Sequence, residues 1–262
     1  MQNTARITAA ITNKESPIFA LKNVNKQFNK LPAIRGINLQ VFLGEKVALV
    51  GSSGAGKSTL INLLNGTVRP SDGEVWVLGR NLASLKPRSR RQLQRQIGTI
   101  YQQFHLINNL QVIHNVNAGH LGRWSFWRAA FSLMFPLEVE KAASALAQVG
   151  IEEKLYERCD RLSGGQQQRV AIARVLVQDP VAILADEPIA SLDPELRREI
   201  MQLLGQMCEE LGKTLVVSLH DLEMARRYCQ RIIGLREGRV LFDCPAEAVS
   251  LEMVDELYKR KN

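Results

Sequence analysis

The segment Gly51–Ser58 constrains this chain more than any other, because it reads GSSGAGKS and satisfies the pattern G-x-x-x-x-G-K-[ST]. It follows Lys46–Val50, whose continuous apolar character is typical of a buried strand, and it opens the helical pattern Lys57–Asn65. Glycines let a backbone wrap closely around a polyphosphate, so that N–H groups and a helix N-terminus point at the anion. The sequence therefore predicts a strand–loop–helix unit that binds phosphate groups.

Two side chains of this segment carry the chemistry of a phosphate site. Lys57 supplies a mobile positive charge for the β- and γ-phosphates of a nucleotide, and the hydroxyl of Ser58 is a ligand for Mg²⁺. A plain glycine turn before a helix is the alternative interpretation. The buried strand on one side and the helix on the other favour phosphate binding.

A second apolar segment, Val181–Ala185, ends in the two carboxylates Asp186 and Glu187. The carboxyl ends of strands in an open α/β sheet face the ligand crevice. Asp186 is therefore predicted to meet Mg²⁺, and Glu187 to meet the water beyond the γ-phosphate. An exposed acidic pair without such a role is the alternative, and the phosphate loop upstream favours the functional interpretation.

The segment Leu162–Arg169 reads LSGGQQQR and opens the helical pattern Gln166–Gln178. Ser163 is a predicted helix cap, and the two glycines leave backbone donors open at the positive end of the helix. An ordinary capped helix after a Gly-Gly turn is the alternative. The string LSGGQ would arise by chance in roughly one of a few thousand chains of this length, which favours a functional role.

The order of the segments predicts an α/β fold. Buried strands at Val181–Ala185 and Thr214–Leu219 alternate with amphipathic helices, as in a parallel sheet with crossover helices. Segment 86–162 holds Arg-rich and Gln-rich helical patterns and no long buried strand, so we interpret it as an inserted helical subdomain. The predicted organisation is a flexible tail over 1–17 and a single domain over 18–262, whose sheet core comprises 18–85 and 163–262. The other predicted elements are strands Ile18–Lys22, Val24–Phe28, Ile34–Phe42, Arg231–Arg236 and Arg239–Asp243, turns at Leu31-Pro32 and Leu43-Gly44-Glu45, and helices Arg88–Gln96, Glu138–Val149, Gln166–Gln178, Pro194–Leu211 and one from about Pro245 onward.

Composition excludes several classes of protein. The chain has 262 residues, 45% of them hydrophobic, which is enough apolar material for a core and argues against disorder. No N-terminal apolar run is long enough for a signal peptide, and no window of 18 residues lacks charges, so neither secretion nor a membrane span is predicted. The net charge of +8 attracts nucleic acid, lipid or nucleotide phosphates without choosing among them. The widely spaced cysteines predict no disulfide framework, no zinc site and a reducing compartment; they are Cys159, Cys208, Cys229 and Cys244.

The motifs together carry a family resemblance. The phosphate loop, the LSGGQQQR segment, the LADEP-x-x-x-LD segment Leu184–Asp193 and a strand that ends in His220 follow one another in that order. This combination resembles the nucleotide-binding subunits of ATP-binding cassette transporters over about residues 18–243. The resemblance implies a P-loop NTPase cassette with a mixed RecA-like sheet core, an N-terminal antiparallel β subdomain and the inserted helical subdomain. It also implies the cofactors ATP and Mg²⁺.

The resemblance also implies roles for individual residues. Glu187, His220 and Gln102 are implied as catalytic, with His220 on the γ-phosphate. Gln102 resembles the glutamine that reaches Mg²⁺, the attacking water and the membrane partner, and Gln103 is the neighbouring alternative. Phe28 resembles the aromatic residue that stacks on adenine, and a core position in its strand is the competing interpretation. The implied ATP-binding residues are Phe28, Gly51, Ser52, Ser53, Gly54, Ala55, Gly56, Lys57, Ser58, Thr59 and Asp186; the Mg²⁺ ligands are Ser58, Gln102 and Asp186; the signature residues acting in trans are Leu162, Ser163, Gly164, Gly165 and Gln166; and the dimer contact is Asp193.

Proteins of this family dimerise head to tail, so that each ATP lies between the phosphate loop of one chain and the LSGGQ helix of the other. The resemblance therefore implies a homodimer, two transmembrane permease subunits and, indirectly, a periplasmic or extracellular substrate-binding protein. It places the chain at the cytoplasmic face of the inner (cell) membrane, as a peripheral subunit, and implies no nucleic-acid partner. A DNA-repair cassette ATPase would carry a coiled-coil or zinc-bearing insertion, and a ribosome-associated factor would carry two cassettes, whereas each motif occurs once here.

The segment Trp124–Leu137 is rich in aromatic residues, and two interpretations of it are open. It is either a helix packed within the helical subdomain or a surface that docks on a membrane subunit. Together with Tyr101–Leu106 and Leu184–Glu195, the pattern at Gly122–Arg128 is most similar to the ATPase subunits of phosphonate importers. Other subunits select the substrate, so phosphite and phosphate are alternatives. The ATPase of a lipoprotein or peptide exporter is the competing function.

Overall fold

The computed structural model describes residues 16–190 and 192–259, and nearly all of the predicted tail 1–17 lies outside them. Over the described residues, the strands form a four-stranded antiparallel sheet and a six-stranded mixed sheet, with helices around the latter. The strands are β1 Phe19–Phe28, β2 Leu31–Val41, β3 Lys46–Val50, β4 Asp72–Val77, β5 Arg80–Asn81, β6 Ile97–Ile100, β7 Ala182–Asp186, β8 Thr214–Leu219, β9 Arg231–Arg236 and β10 Arg239–Pro245. The helices are α1 Lys57–Leu64, α2 Pro87–Gln94, α3 Val112–Asn117, α4 Phe126–Met134, α5 Val139–Gln148, α6 Gly164–Gln178, α7 Pro194–Glu210, α8 Leu222–Tyr228 and α9 Leu251–Tyr258.

The smaller sheet has the order β2-β1-β4-β5, which confirms the predicted antiparallel β region near the N-terminus. The prediction of separate strands at Ile18–Lys22 and Val24–Phe28 is wrong, because β1 is continuous through both. Its register with β2 shifts between Leu21 and Val24, where Asn23 has a φ of 47°. A bulge of this kind bends a strand without ending it.

The turn between β1 and β2 also differs from the prediction of a turn at Leu31-Pro32. The chain reverses at Asn29 and Lys30, whose φ values of 46° and 69° are those of a tight hairpin turn. Pro32 lies within β2, opposite Gln27. Proline is tolerated there because β2 is at the edge of its sheet.

The larger sheet has the order β10-β9-β3-β8-β7-β6, and all neighbouring pairs are parallel except β9 with β10. Both faces of this sheet are buried, so its central strands are mainly apolar. In β3, Val47 and Leu49 pack towards α1 and the smaller sheet, whereas Ala48 and Val50 pack towards α6 and α7. The parallel pairing of these strands, with helices between them in the chain, confirms the prediction of a parallel sheet with crossover helices.

The segment 86–162 contains four helices and also β6, which pairs in parallel with β7 of the larger sheet. One α-helix of the segment, α2, precedes β6 and the other three follow it, so a strand of the larger sheet lies inside the segment predicted to be helical. The subdomain boundary at residue 86 stays an interpretation. The prediction of a helix from about Pro245 is wrong at its start. β10 extends to Pro245, paired with Arg231, and α9 begins at Leu251.

None of the helices in the described ranges is long and apolar enough to cross a bilayer.

The register of the central strands places the functional segments side by side. Val50 lies opposite Leu219, and Asp186 lies opposite Ser218, so β3, β7 and β8 end at the same edge of the sheet. The loop after β3, the carboxylates at the end of β7 and His220 after β8 therefore meet at this edge, as the sequence predicts.

Candidate active site

The loop after β3 is shaped by glycines that leave no room for a side chain. Gly51 has a φ of 152°, and a Cβ atom there would lie 2.2 Å from the carbonyl oxygen of Leu235. Gly56, directly before α1, has a φ of 107°, and its Cβ would lie 2.8 Å from the carbonyl oxygen of Ala33. The first N–H groups of a helix have no acceptors within the helix. The tight loop and the start of α1 therefore present backbone donors to an anion, as a phosphate site requires.

Lys57 is the first residue of α1, and its ammonium folds back onto the loop. Nζ donates hydrogen bonds to the carbonyl oxygens of Gly51 at 2.8 Å and Ser52 at 3.2 Å. It also lies 3.7 Å from Oε1 of Glu187, and its side chain is 3% exposed. Burial lowers the pKa of Lys57 from its usual value, against the opposing effects of the Glu187 and Asp186 carboxylates. The cation is thus held at the centre of the loop, between backbone carbonyls and a carboxylate.

Asp186, the last residue of β7, accepts two hydroxyl hydrogen bonds at one oxygen. Ser58 Oγ donates to Oδ1 at 3.0 Å, and Ser218 Oγ donates to the same atom at 2.8 Å. Carboxylate and hydroxyl oxygens are the ligands that Mg²⁺ prefers, so Asp186 and Ser58 fit the predicted metal site. Ser218 belongs to none of the motifs that the sequence shows. The available signal was a hydroxyl side chain inside the otherwise apolar segment Leu215–Leu219.

Glu187 follows β7 in a left-handed backbone conformation, with a φ of 47°, that few residues other than glycine adopt. Its N–H donates to Ser218 Oγ at 2.8 Å. Its carboxylate lies 2.6 Å from Nε2 of His220 and 3.7 Å from Nζ of Lys57. The left-handed turn therefore points the Glu187 carboxylate back over the phosphate loop, where it can orient water or accept a proton.

The signature segment begins α6 with a capping box, as predicted for Ser163. Ser163 Oγ accepts from the N–H of Gln166 at 3.3 Å, and Gln166 Oε1 accepts from the N–H of Ser163 at 3.0 Å. A Cβ on Gly165 would lie 2.1 Å from Cδ2 of Leu196, so a larger residue here would force the Leu196 side chain of α7 to move. A Cβ on Gly164 would meet nothing within 4 Å, so its backbone can be approached from outside the chain.

The remaining predicted residues lie on other elements. Gln102 is exposed in the turn after β6. Arg174 of α6 donates to the carbonyl oxygens of Phe104 and His105, at 2.8 Å each, and so ties this turn to the helix that the signature begins. Asp193 caps α7 through its Oδ1, and its role in a dimer stays a prediction.

Phe28 lies at the end of β1, and 46% of its surface is exposed, so the competing interpretation of a core residue is wrong. The Nζ of Lys26 lies 4.7 Å from the centre of the Phe28 ring. An exposed aromatic face of this kind can stack on another flat ring. The role in adenine binding stays a prediction.

The contacts thus join five of the predicted residues into one site at the edge of the larger sheet. Lys57 contacts Glu187, Glu187 contacts His220, and Ser58 contacts Asp186. Ser218 links Asp186 to Glu187. A cation, a pair of hard oxygen ligands and a carboxylate–imidazole pair are the parts that phosphoryl transfer to water uses.

Comparisons with known proteins agree with this chemistry. The sequence profile of the ABC transporter family matches residues 34–190. The phosphonates import ATP-binding protein PhnC of Pseudomonas fluorescens is 46% identical over 88% of this chain and 87% of its own length. PhnC of Wolinella succinogenes is 44% identical over 86% of this chain and 82% of its own length.

A solved structure of a dimeric ATP-binding cassette in a post-hydrolysis state, bound to ADP and Pi, superposes with a TM-score of 0.74. It is 34% identical and covers 88% of this chain and 100% of the other. CbiO1 from Clostridium perfringens, part of an ABC transporter complex, superposes with a TM-score of 0.77 at 30% identity, over 92% and 94% of the two chains. The family profile spans more than half of this chain and the relatives match most of it, so the chain belongs to the ABC transporter family and is an ATP-hydrolysing cassette.

Proposed function

We propose that the joined residues at the edge of the larger sheet form the hydrolytic half-site for ATP. The loop N–H groups and Lys57 bind the β- and γ-phosphates, and Ser58 and Asp186 hold Mg²⁺, with Gln102 as a further ligand. The observation that carries the proposal is the position of the Glu187 carboxylate, 2.6 Å from His220 and 3.7 Å from Lys57. Bound Mg²⁺ neutralises charge that develops on the phosphate oxygens.

In this mechanism different residues of the chain act on the γ-phosphate and on the attacking water. Lys57 exchanges the loop carbonyls for phosphate oxygens, which keeps its ammonium paired when ATP binds. Glu187 orients the water in line with the γ-phosphate and takes its proton. His220 contacts the γ-phosphate and also holds Oε1 of Glu187 through Nε2. Phosphoryl transfer to water needs mainly positioning and charge stabilisation, which this arrangement supplies.

The second half of each site comes from another copy of the chain in this proposal. Phosphoryl transfer needs donors on all sides of the γ-phosphate, and the start of α6 supplies them once two chains meet head to tail. The open approach to Gly164 supports this, because a phosphate can reach the backbone there without meeting a side chain. Hydrolysis then depends on assembly of a homodimer, with Asp193 at the contact.

We further propose that the dimer drives import of a phosphonate or a related oxyanion. The support is the agreement of two PhnC proteins with this chain at 44% and 46% identity. The dimer would work at the cytoplasmic face of the cell membrane with two transmembrane permease subunits and, indirectly, a periplasmic or extracellular substrate-binding protein. Helix α4 supports a permease contact, since Phe126, Trp127 and Met134 are 77%, 80% and 76% exposed.

The test is reconstitution of the chain in proteoliposomes with its permease subunits and binding protein. ATP hydrolysis is expected to rise when the binding protein is loaded with a phosphonate, and to rise less with phosphate or phosphite. Stimulation by phosphate alone would reassign the substrate. Substrate leaving the cytoplasmic side, with no need for a binding protein, would favour the exporter alternative.

A further inference from the structure

We propose that Ser218 is a positioning residue for ATP hydrolysis, which holds both carboxylates at the end of β7 in their working orientation. The inference rests on the roles proposed above for Asp186 and Glu187. Ser218 does not need to touch ATP for this, because its hydroxyl contacts the side chain of one of these residues and the backbone of the other.

The direction of each hydrogen bond follows from the chemistry of the groups. An ionised carboxylate only accepts, so the single hydroxyl proton of Ser218 goes to Oδ1 of Asp186, 2.8 Å away. The oxygen lone pair of Ser218 then accepts the N–H of Glu187, also at 2.8 Å. Ser218 is fully buried, with no exposed surface, so water does not offer replacement partners readily. One buried atom therefore sets the geometry of both residues.

The hydrogen bond from the N–H of Glu187 to Ser218 stabilises the turn that orients the Glu187 carboxylate. Glu187 holds a φ of 47°, a conformation that needs support from its surroundings. Without the Ser218 hydroxyl, the N–H of Glu187 loses its acceptor, and the turn is free to relax. The carboxylate would then move from its place beside Nε2 of His220 and Nζ of Lys57. Displacements of about 1 Å at a reacting group cost on the order of 100-fold in rate.

The bond to Asp186 acts on the metal site. Oδ1 of Asp186 accepts from Ser218 of β8 and from Ser58 of α1. Loss of the Ser218 donor leaves Oδ1 with the Ser58 hydroxyl alone of these two donors, so the Asp186 carboxylate is oriented less firmly. Partners that orient a metal ligand in this way are commonly worth 10- to 100-fold in metal affinity or activity.

The same strand supplies a matched control for a purely structural effect. Thr214 begins β8, is also fully buried, and uses its hydroxyl in the same way. Oγ1 accepts from the N–H of Gly44 at 2.8 Å and donates to the carbonyl oxygen of Phe42 at 3.3 Å. These contacts lie at the opposite end of β8 from Ser218. Thr214→Val thus removes an equivalent buried hydroxyl without touching the site.

The experiment compares Ser218→Ala, Ser218→Thr and Thr214→Val in the full chain. We expect Ser218→Ala to lower kcat about 10- to 100-fold and to raise the Mg²⁺ concentration for half-maximal activity, with little change in ATP affinity measured without Mg²⁺. Ser218→Thr keeps the hydroxyl and is expected to restore most of kcat. Thr214→Val is expected to lower Tm at least as much as Ser218→Ala, with kcat within about twofold of the unmodified chain.

Two results would overturn the role of Ser218. One is a Ser218→Ala chain that turns over ATP within about twofold of the unmodified chain; the other is a kcat loss that follows the loss of Tm equally in Ser218→Ala and Thr214→Val. Glu187→Gln, measured alongside, separates this inference from the proposed function. Normal turnover of Glu187→Gln overturns the function proposed for Glu187, whereas slow turnover of Glu187→Gln with normal turnover of Ser218→Ala removes only the role of Ser218.

Discussion

His220 Nε2 lies 2.6 Å from Oε1 of Glu187, although 33 positions separate the two residues in the chain. The contact forms because Glu187 follows β7, His220 follows β8, and these neighbouring parallel strands end together. The imidazole and the Lys57 ammonium, 3.7 Å away, both approach this same oxygen. The Glu187 carboxylate and the His220 imidazole are therefore positioned by each other as well as by the sheet.

Glu187→Gln should bind ATP normally and hydrolyse it very slowly. The amide keeps the size of the side chain and its contact with His220, but it cannot take a proton, and a positioned general base contributes about 100-fold or more. Single-turnover hydrolysis measures the loss, and light scattering should show dimers stabilised by ATP. Glu252→Gln, an exposed change on α9, is the control and should behave like the unmodified chain. Turnover of Glu187→Gln near the normal rate would exclude Glu187 as the general base.

Lys57→Ala should weaken ATP binding itself, in contrast to Glu187→Gln. The ammonium acts on the phosphates in the ground state and in the transition state alike, so its loss raises the dissociation constant. A hydrogen bond to a charged group contributes about 1.5–3 kcal/mol, which predicts a change of roughly 10- to 100-fold. Titration with a fluorescent ATP analogue measures it, with Lys259→Ala as the surface control. Unchanged affinity would show that Lys57 does not bind the phosphates.

Much of the site could be predicted from the sequence because its parts are continuous motifs. A glycine loop after an apolar strand, and two carboxylates at the end of another strand, can be recognised without knowing which strands pair in the sheet. Ser218 could not be found in this way, since its role depends on the β7–β8 register that places it opposite Asp186. The same holds for β6, a strand of four residues whose place in the sheet depends on its pairing with β7.

The wrong predictions about the fold concern where individual β-strands begin, bend and end. Pro32 and Asn29 both favour turns, and only the edge position of β2 decides that the turn falls at Asn29–Lys30. The bulge at Asn23 looks like a strand end in the sequence, because a polar residue interrupts the alternation of buried side chains. Such features are set by tertiary pairing and not by local preference.

The head-to-tail arrangement predicts that two inactive chains complement each other. A Ser163→Arg chain keeps an intact phosphate loop, and a Lys57→Ala chain keeps an intact signature, so a heterodimer has one competent composite site. Each variant alone should be inactive, and a mixture should regain activity that peaks near equal amounts. No recovery at any ratio, with heterodimer demonstrated by a tag-based pull-down, would argue against assembly of the site in trans.

The complementation experiment needs a control for loss of a helix cap. Ser163 caps α6 at 3.3 Å from the N–H of Gln166, so Ser163→Arg also removes about 1 kcal/mol of helix stabilisation. Ser250 caps α9 through an equivalent bond to the N–H of Met253, also at 3.3 Å. Ser250→Arg should therefore lose comparable stability and remain an active ATPase. Equal inactivity of Ser163→Arg and Ser250→Arg would mean that loss of the cap alone explains the defect.

The exposed aromatic side chains of α4 lead us to expect that their replacement abolishes assembly with the membrane subunits and leaves ATP binding intact. Phe126 and Trp127 are 77% and 80% exposed and contact each other edge to face, so they contribute little to the core of the chain. Aromatic side chains at the centre of an interface commonly contribute about 2 kcal/mol or more each. A chain with Phe126→Gln and Trp127→Gln should therefore keep its Tm and its ATP affinity but fail to bind its permease subunits. Pull-down with the permease subunits, alongside nucleotide titration, measures both properties.

The outcome of this test also decides between the two interpretations of Trp124–Leu137, the aromatic segment. Leu251→Gln, which changes an exposed apolar side chain on α9, is the control and should leave assembly intact, because Leu251 is 78% exposed but lies outside the aromatic segment. Assembly that fails while ATP binding survives identifies α4 as the docking surface. Loss of ATP binding and assembly together would show that Phe126 and Trp127 support the fold. Retention of both would show that the permease subunits bind elsewhere, so that the exposure of α4 has another cause.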